Sequence, residues 1–147
     1  GTFGALMASI LRSLETNMAK LALDTVGIAP GFTVNDLSKS IHFYVEGLGF
    51  TITDRNEADG KLRFVMLKAG NGEMALGQDD FAKGKDRVKG VAVRLYVTTK
   101  QDLKQLAAQA KAAGIVLDHE VMAMPWGQLA FAVTDPDGFK LTIANER

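Results

Sequence analysis

The sequence predicts an α+β fold of two like halves, each reading strand–helix–strand–strand–strand. Three observations predict it. Val34-Asn35-Asp36 and Val97-Thr98-Thr99 hold equivalent places 63 residues apart, and self-similarity at a fixed spacing is the mark of a repeated module. Each is followed by an amphipathic stretch that glycine closes, at Gly47 to Gly49 in one half and at Gly114 in the other. Each stretch then leads into three short β-rich runs divided by turn residues.

In the first half, Asn35 or Asp36 can cap a helix starting near Leu37. Ile41, Tyr44, Val45 and Leu48 recur at helical spacing. Strand runs follow at 50–55, 62–67 and 73–77, joined through Ala58-Asp59-Gly60 and Gly70-Asn71-Gly72, which supply hairpin turn chemistry. Residues 83–89 read as a polar connection, its basic residues offset by Asp80 and Asp86. In the second half, 91–97 reads as a strand. Thr99 and Asp102 resemble a capping box. Leu103, Leu106, Ala107 and Ala110 give the helix an apolar stripe, and strands follow at 115–119, 128–134 and 139–144. The domain is expected over residues 27–147, with modules of about 27–78 and 90–147. Residues 1–26 form an extension. Within it Leu6, Ile10, Leu11 and Leu14 fit a short amphipathic helix over 4–16, read either as a vector-derived tail or as an arm that packs on a partner subunit.

Composition narrows the function. Seventeen basic and seventeen acidic residues cancel, so nothing favours nucleic acid or an anionic membrane, both of which call for a basic surface. The absence of cysteine excludes thiolate metal sites, disulfides and cysteine nucleophiles. No apolar run reaches the length of about 18 residues that a membrane span needs, and the start makes a poor secretory signal. The expectation is a cytoplasmic protein.

One ordered set of words resembles a known family. Val34-Asn35-Asp36-Leu37 with Ser40, Phe43-Tyr44, Leu48-Gly49-Phe50, Ala112-Ala113-Gly114, Pro125-Trp126-Gly127 and Asp135-Pro136-Asp137-Gly138 together are similar to the vicinal oxygen chelate superfamily, the glyoxalase, bleomycin-resistance and ring-cleaving dioxygenase fold. The resemblance implies two βαβββ modules forming a curled eight-stranded mixed sheet around a cleft, with helices outside, and often a homodimer. In metal-dependent members it also implies ligands projecting from the first and last strands of each module. Carried over position by position, those places read Ala29, Ala75, Ala92 and Thr142. Alanine has no donor, and a neutral hydroxyl is a poor ligand for a divalent ion. His42 and His119, the only histidines, lie in different modules and lack ligand spacing. The expectation is therefore no metal and no cofactor, as in a metal-free, bleomycin-resistance-like branch.

Strand alternation assigns the cleft wall. Thr33, Glu73, Arg94, Tyr96 and Thr142 should face it, with Met122, Met124 and Trp126 on its border and Phe64 or Met66 beside them. Arg94 reads equally as an anchor for a ligand carboxylate and as a structural partner of Glu73, because an inward charge needs a partner. Trp126 reads equally as a stacking platform and as a core plug. The leading expectation is a binding protein for a small hydrophobic or aromatic molecule, serving sequestration or resistance. The alternatives are a glyoxalase-like lyase, isomerase or dioxygenase with a non-standard site, and a structural or regulatory module.

Overall fold

The computed structural model describes residues 2–147, without the side chains of residues 14–19, so the place of the Leu14 side chain lies outside the described residues. Its elements in chain order are α1 (Thr2–Ala19), β1 (Gly31–Val34), α2 (Leu37–Ile41), β2 (Thr51–Ala58), β3 (Lys61–Ala69), β4 (Gly72–Gln78), β5 (Arg94–Thr99), α3 (Leu103–Ala112), β6 (His119–Ala123), β7 (Leu129–Thr134) and β8 (Lys140–Asn145). The strands form two four-stranded sheets ordered β1-β4-β3-β2 and β5-β8-β7-β6. In each, the first strand pairs parallel with the last and the other pairs are antiparallel. The duplication read in the sequence is thus a duplication of strand order.

Asp36 starts α2 by accepting from the Lys39 amide at 3.2 Å, which satisfies an otherwise orphaned N–H. The helix does not stay α. Residues 42–47 form a π-helical turn, and the Leu48 amide reaches back to the Phe43 carbonyl at 3.1 Å. The extra residue sets Phe43, Tyr44 and Gly47 on the buried side. Gly47 packs directly on Ile115, where a Cβ would collide with the isoleucine.

Several boundaries differ from the sequence reading. β5 begins at Arg94, not Val91, because Gly90 and Ala92 both adopt positive φ (68° and 57°). A Cβ on Gly90 would strike the backbone of Gly138 and Phe139, so this turn is pressed against the end of the other hairpin. β6 begins where the sequence placed a strand's end, at His119. Asp102, not Thr99, caps α3, accepting from the Lys104 amide at 2.9 Å. Thr99 accepts from the Gln101 amide instead.

Both halves bury their helix-facing sides in one core. Phe32, Val34, Val65, Leu67, Met74 and Leu76 of the first sheet join Phe131, Val133, Leu141 and Ile143 of the second around Phe43, Tyr44, Leu103 and Ala107. Phe32 stacks on Phe139 with ring centroids 3.9 Å apart. The seam is also polar. The Tyr44 hydroxyl donates to Asp135 at 2.7 Å, and the other Asp135 oxygen accepts from the Asp137 and Phe139 amides. Asp137 in turn accepts from the Asn35 amide at 3.0 Å. The Asp135-Pro136-Asp137-Gly138 turn therefore does more than reverse the chain: it clasps the start of the first module's helix.

This packing decides where the cleft walls point. The residues on the opposite faces, among them Gly31, Thr33 and Glu73 of the first sheet and Arg94, Tyr96 and Thr98 of the second, are exposed. The sheets do not close into a barrel within the chain. α1 and the stretch after it also leave apolar side chains uncovered, including Phe3, Leu6, Leu21, Leu23, Val26 and Ile28.

Candidate functional site

The outer face of the second sheet is built in rows by strand register. Tyr96, Thr142, Ala132 and His119 form one row across β5, β8, β7 and β6. Thr98, Ala144, Ala130 and Met122 form the next. The centre of both rows is small: Ala130, Ala132, Ala144 and Thr142 are each at most 5% exposed. Larger side chains stand around this floor. Tyr96 is 69% exposed, Met122 50% and Trp126 49%. Tyr96, Thr98, Trp126, Gln128, Thr142 and Ala144 line an open groove of about 540 Å³, within the size range of small-molecule sites.

Trp126 is not a core plug. Its indole N–H donates to Gln128 Oε1 at 2.7 Å, and Gln128 Nε2 donates to the Asn145 carbonyl at 2.7 Å. Asn145 Oδ1 accepts from the Leu129 amide. Gln128, only 9% exposed, thus ties the indole to the end of β8. A half-exposed aromatic held this way offers a fixed apolar surface at little further entropic cost.

Arg94 donates from Nη1 to Thr142 Oγ1 at 3.0 Å. The pairing with Glu73 does not form in the chain: Glu73 lies on the first sheet's outer face, opposite Lys68. Among the described residues no carboxylate forms an ion pair with Arg94. A guanidinium fixed by one neutral hydrogen bond keeps most of its donors for something else.

The structure gathers Arg94, Tyr96, Thr142, Trp126 and Met122 on one face. It leaves Thr33 and Glu73 on the other sheet's outer face, beside Gly77, Ala75, Phe64 and Met66. Met124 is in the turn before Trp126, its amide bonded to the Gln128 carbonyl. The sequence reading has a floor of small residues with Ala144 facing inward, but it missed Gln128, Asn145 and the β7 part of the floor, Ala130 and Ala132. The alternation Leu129-Ala130-Phe131-Ala132-Val133 was the available signal, since every second residue must face away from the core.

Two buried carboxylates shape the electrostatics elsewhere. Burial pushes Asp135 up, against the hydrogen bonds from Tyr44 and the two amides, and burial with the Asp135 charge pushes the Tyr44 hydroxyl up. Both groups serve the seam. Asp79 is held below the usual carboxylate range by its hydrogen bond to Lys89, 2.8 Å away, helped by the Phe81 amide and by Arg87 at 3.5 Å.

Two mixed four-stranded sheets of identical order, each with its helix, and an open face of small residues define the class. The model of the Glyoxalase/Bleomycin resistance protein/Dioxygenase superfamily matches residues 23–143, and the chain belongs to that superfamily. TioX from Micromonospora sp. ML1 is similar in structure, with a TM-score of 0.69 at 18% identity, over 84% of this chain and 100% of that one. A superfamily member from Sphaerobacter thermophilus DSM 20745 is similar at 26% identity and a TM-score of 0.64, over 84% and 100% of the two chains. A glyoxalase-related enzyme from Fulvimarina pelagi is similar at 22% identity and a TM-score of 0.66, over 83% and 89%. No curated protein matches the chain.

The resemblance implies a divalent metal in some members, and the residues at those places do not fit one. Ala29 lies ahead of β1, Ala75 sits within β4, and Ala92 occupies the left-handed turn rather than a strand. The Thr142 hydroxyl already accepts from Arg94, which puts a fixed positive charge beside that position. Among the described residues no group of three or more His, Cys, Asp or Glu converges.

Among the described residues, no helix is long and apolar enough to cross a membrane.

Proposed function

We propose that the chain is a metal-free binding protein of the glyoxalase/bleomycin-resistance type. It takes a small hydrophobic or aromatic molecule on the outer face of the second sheet, for sequestration or resistance, in the cytoplasm. The observation that carries this reading is Trp126: half-exposed, oriented through Gln128, and bordering a floor of buried alanines. A flat ring can lie on such a floor and against the indole, burying apolar area on both sides. Met122 on the far edge can repack around ligands of different outline.

The reading includes a homodimer. One chain presents two outward faces, each of which is half of a cleft. A second copy places its first sheet, with Thr33, Glu73, Phe64 and Met66, over this chain's second sheet, and reciprocally. Two-fold pairing makes both clefts at once. The apolar residues left uncovered on α1 and over residues 21–28 support the same conclusion, since packing them on a second copy would remove their apolar area from water.

Trp126 is the chain's only tryptophan, so its fluorescence reports this site alone. Titration with a panel of aromatic compounds should change it saturably, and Trp126→Ala should weaken binding measured by calorimetry. Unchanged affinity in that variant removes Trp126 from the site. A stoichiometric divalent metal in protein purified without chelator, lost on His119→Ala, would replace this reading with a metal-dependent lyase or isomerase.

A further inference from the structure

We propose that the ligand is an aromatic anion whose carboxylate is held by Arg94 over Thr142. The proposal rests on the binding function above and adds the chemistry of one end of the ligand. Its first support is the state of Arg94. Arg94 is an exposed residue, forms no ion pair among the described residues, and its guanidinium is aimed by its bond to Thr142 Oγ1. Thr142 is itself only 4% exposed. An arginine oriented from below by a buried hydroxyl presents its remaining N–H groups as a planar fork, which matches the two oxygens of a carboxylate.

The second support is spacing. Along one face of a strand, successive rows are about 6.6 Å apart. Thr142 and Ala144 are one row apart on β8, and Trp126 is tied beyond Ala144 through Gln128 and Asn145. From the guanidinium to the indole the floor therefore runs roughly 7–10 Å, the reach of a two-ring aromatic acid. Ala144, Ala130 and Ala132 beneath that path carry no polar side-chain group, so the middle of the ligand should be apolar and flat.

The third support is charge placement. Lys140 stands in the same row as Arg94, its ammonium 3.4 Å from the Thr134 hydroxyl, which itself donates to Asp118 at 2.7 Å. Among the described residues Arg94 has no carboxylate partner of that kind. At the other end of the groove Glu146 is paired with Lys100 at 3.6 Å, and Arg147 joins the lining. The indole, not the charge at that end, gives the ligand its direction: carboxylate at Arg94, ring toward Trp126.

Calorimetric titration of the whole protein with 2-naphthoate and with its neutral counterpart 2-naphthamide tests this. The wild-type protein should bind the acid about tenfold more tightly, the scale of one charge-assisted hydrogen bond that the amide cannot make. Arg94→Met keeps the apolar stem and should bring the two affinities together. Arg94→Lys should retain a reduced preference, and Thr142→Val, of nearly equal shape, should loosen the acid while sparing the amide. Equal binding of acid and amide by the wild-type protein would overturn the anion proposal and leave aromatic binding standing. Failure of both probes, and of a wider aromatic panel, would overturn both readings. An acid preference that survives Arg94→Met would overturn the role of Arg94. If Arg94 instead pairs with the partner subunit's Glu73, then Glu73→Gln should raise acid affinity and Arg94→Met should weaken the dimer, and that pair of results would also overturn it.

Discussion

The two halves share one strand order and differ in what they display. The first sheet's outer face offers Thr33, Glu73, Gly77, Ala75, Phe64 and Met66, a mixed surface on which, among the described residues, no polar side chain is buried. The second carries an alanine floor, an oriented arginine and a clamped tryptophan. The helix-facing sides are alike in being apolar, because both enter one core, while the outer faces differ. The constraint is asymmetric: a residue facing the core must fit its neighbours in a close-packed interior, whereas an outward residue answers only to what binds there.

The sharpest way to break that contrast is to cut large side chains from each side of a sheet. Phe32→Ala removes a ring at 6% exposure that stacks on Phe139 across the seam, and should cost about 3–5 kcal/mol in denaturant unfolding. Tyr44→Phe deletes a single oxygen but leaves Oδ2 of the buried Asp135 without its donor, so a loss of about 1–3 kcal/mol is expected by the same measurement. Trp126→Ala, on the outer face, removes a half-exposed ring and one hydrogen bond to Gln128, and should cost only about 1 kcal/mol while weakening aromatic binding. A result in which Trp126→Ala unfolds the protein as Phe32→Ala does would erase the distinction between faces.

A subtler effect separates the two buried aspartates by pH. Asp79 has its folded-state pKa lowered, chiefly by Lys89. It therefore adds stability that is present above the ordinary carboxylate range and lost as pH falls through that range toward its folded value. Asp135 is shifted upward, chiefly by burial, and so acts in the opposite sense, favouring the folded state as it takes up a proton. Melting curves of wild type and Asp79→Asn should differ most near neutrality, and the gap should shrink on acidification below about pH 4. A gap that widens there would contradict the Asp79 assignment.

Most of the fold was legible in the sequence because its signals are local. Asp36, Gly49, Gly114 and the Asp135-Pro136-Asp137-Gly138 turn each answer to a cap or a positive φ that neighbouring residues dictate. The misplaced start of β5 has a non-local cause: the turn through Gly90 and Ala92 is set by the approach of Gly138, far away in the chain. The site was half legible. Alternation placed Arg94, Tyr96 and Thr142 together correctly, since parity along a strand is intrinsic. It could not show that Arg94 would bond Thr142 rather than Glu73, because that depends on which faces the two sheets turn to each other. Nor could it reveal Gln128, whose role is to orient a neighbour two residues away.

That mutual orientation is the centre of the account, and complementation tests it most directly. Gly77→Phe should block a cleft from the first sheet, since a Cβ there meets nothing closer than Phe64 at 4.0 Å and the new ring must extend outward. Trp126→Ala disables a cleft from the second sheet. Each variant alone should bind 2-naphthoate weakly. If clefts form between chains, the mixed dimer unites an intact first sheet from one copy with an intact second sheet from the other. Calorimetry on the purified mixed dimer should then recover one wild-type-affinity site per two chains. Recovery of none, in a mixed dimer shown to have formed, would contradict the account and place both walls of each cleft within one chain.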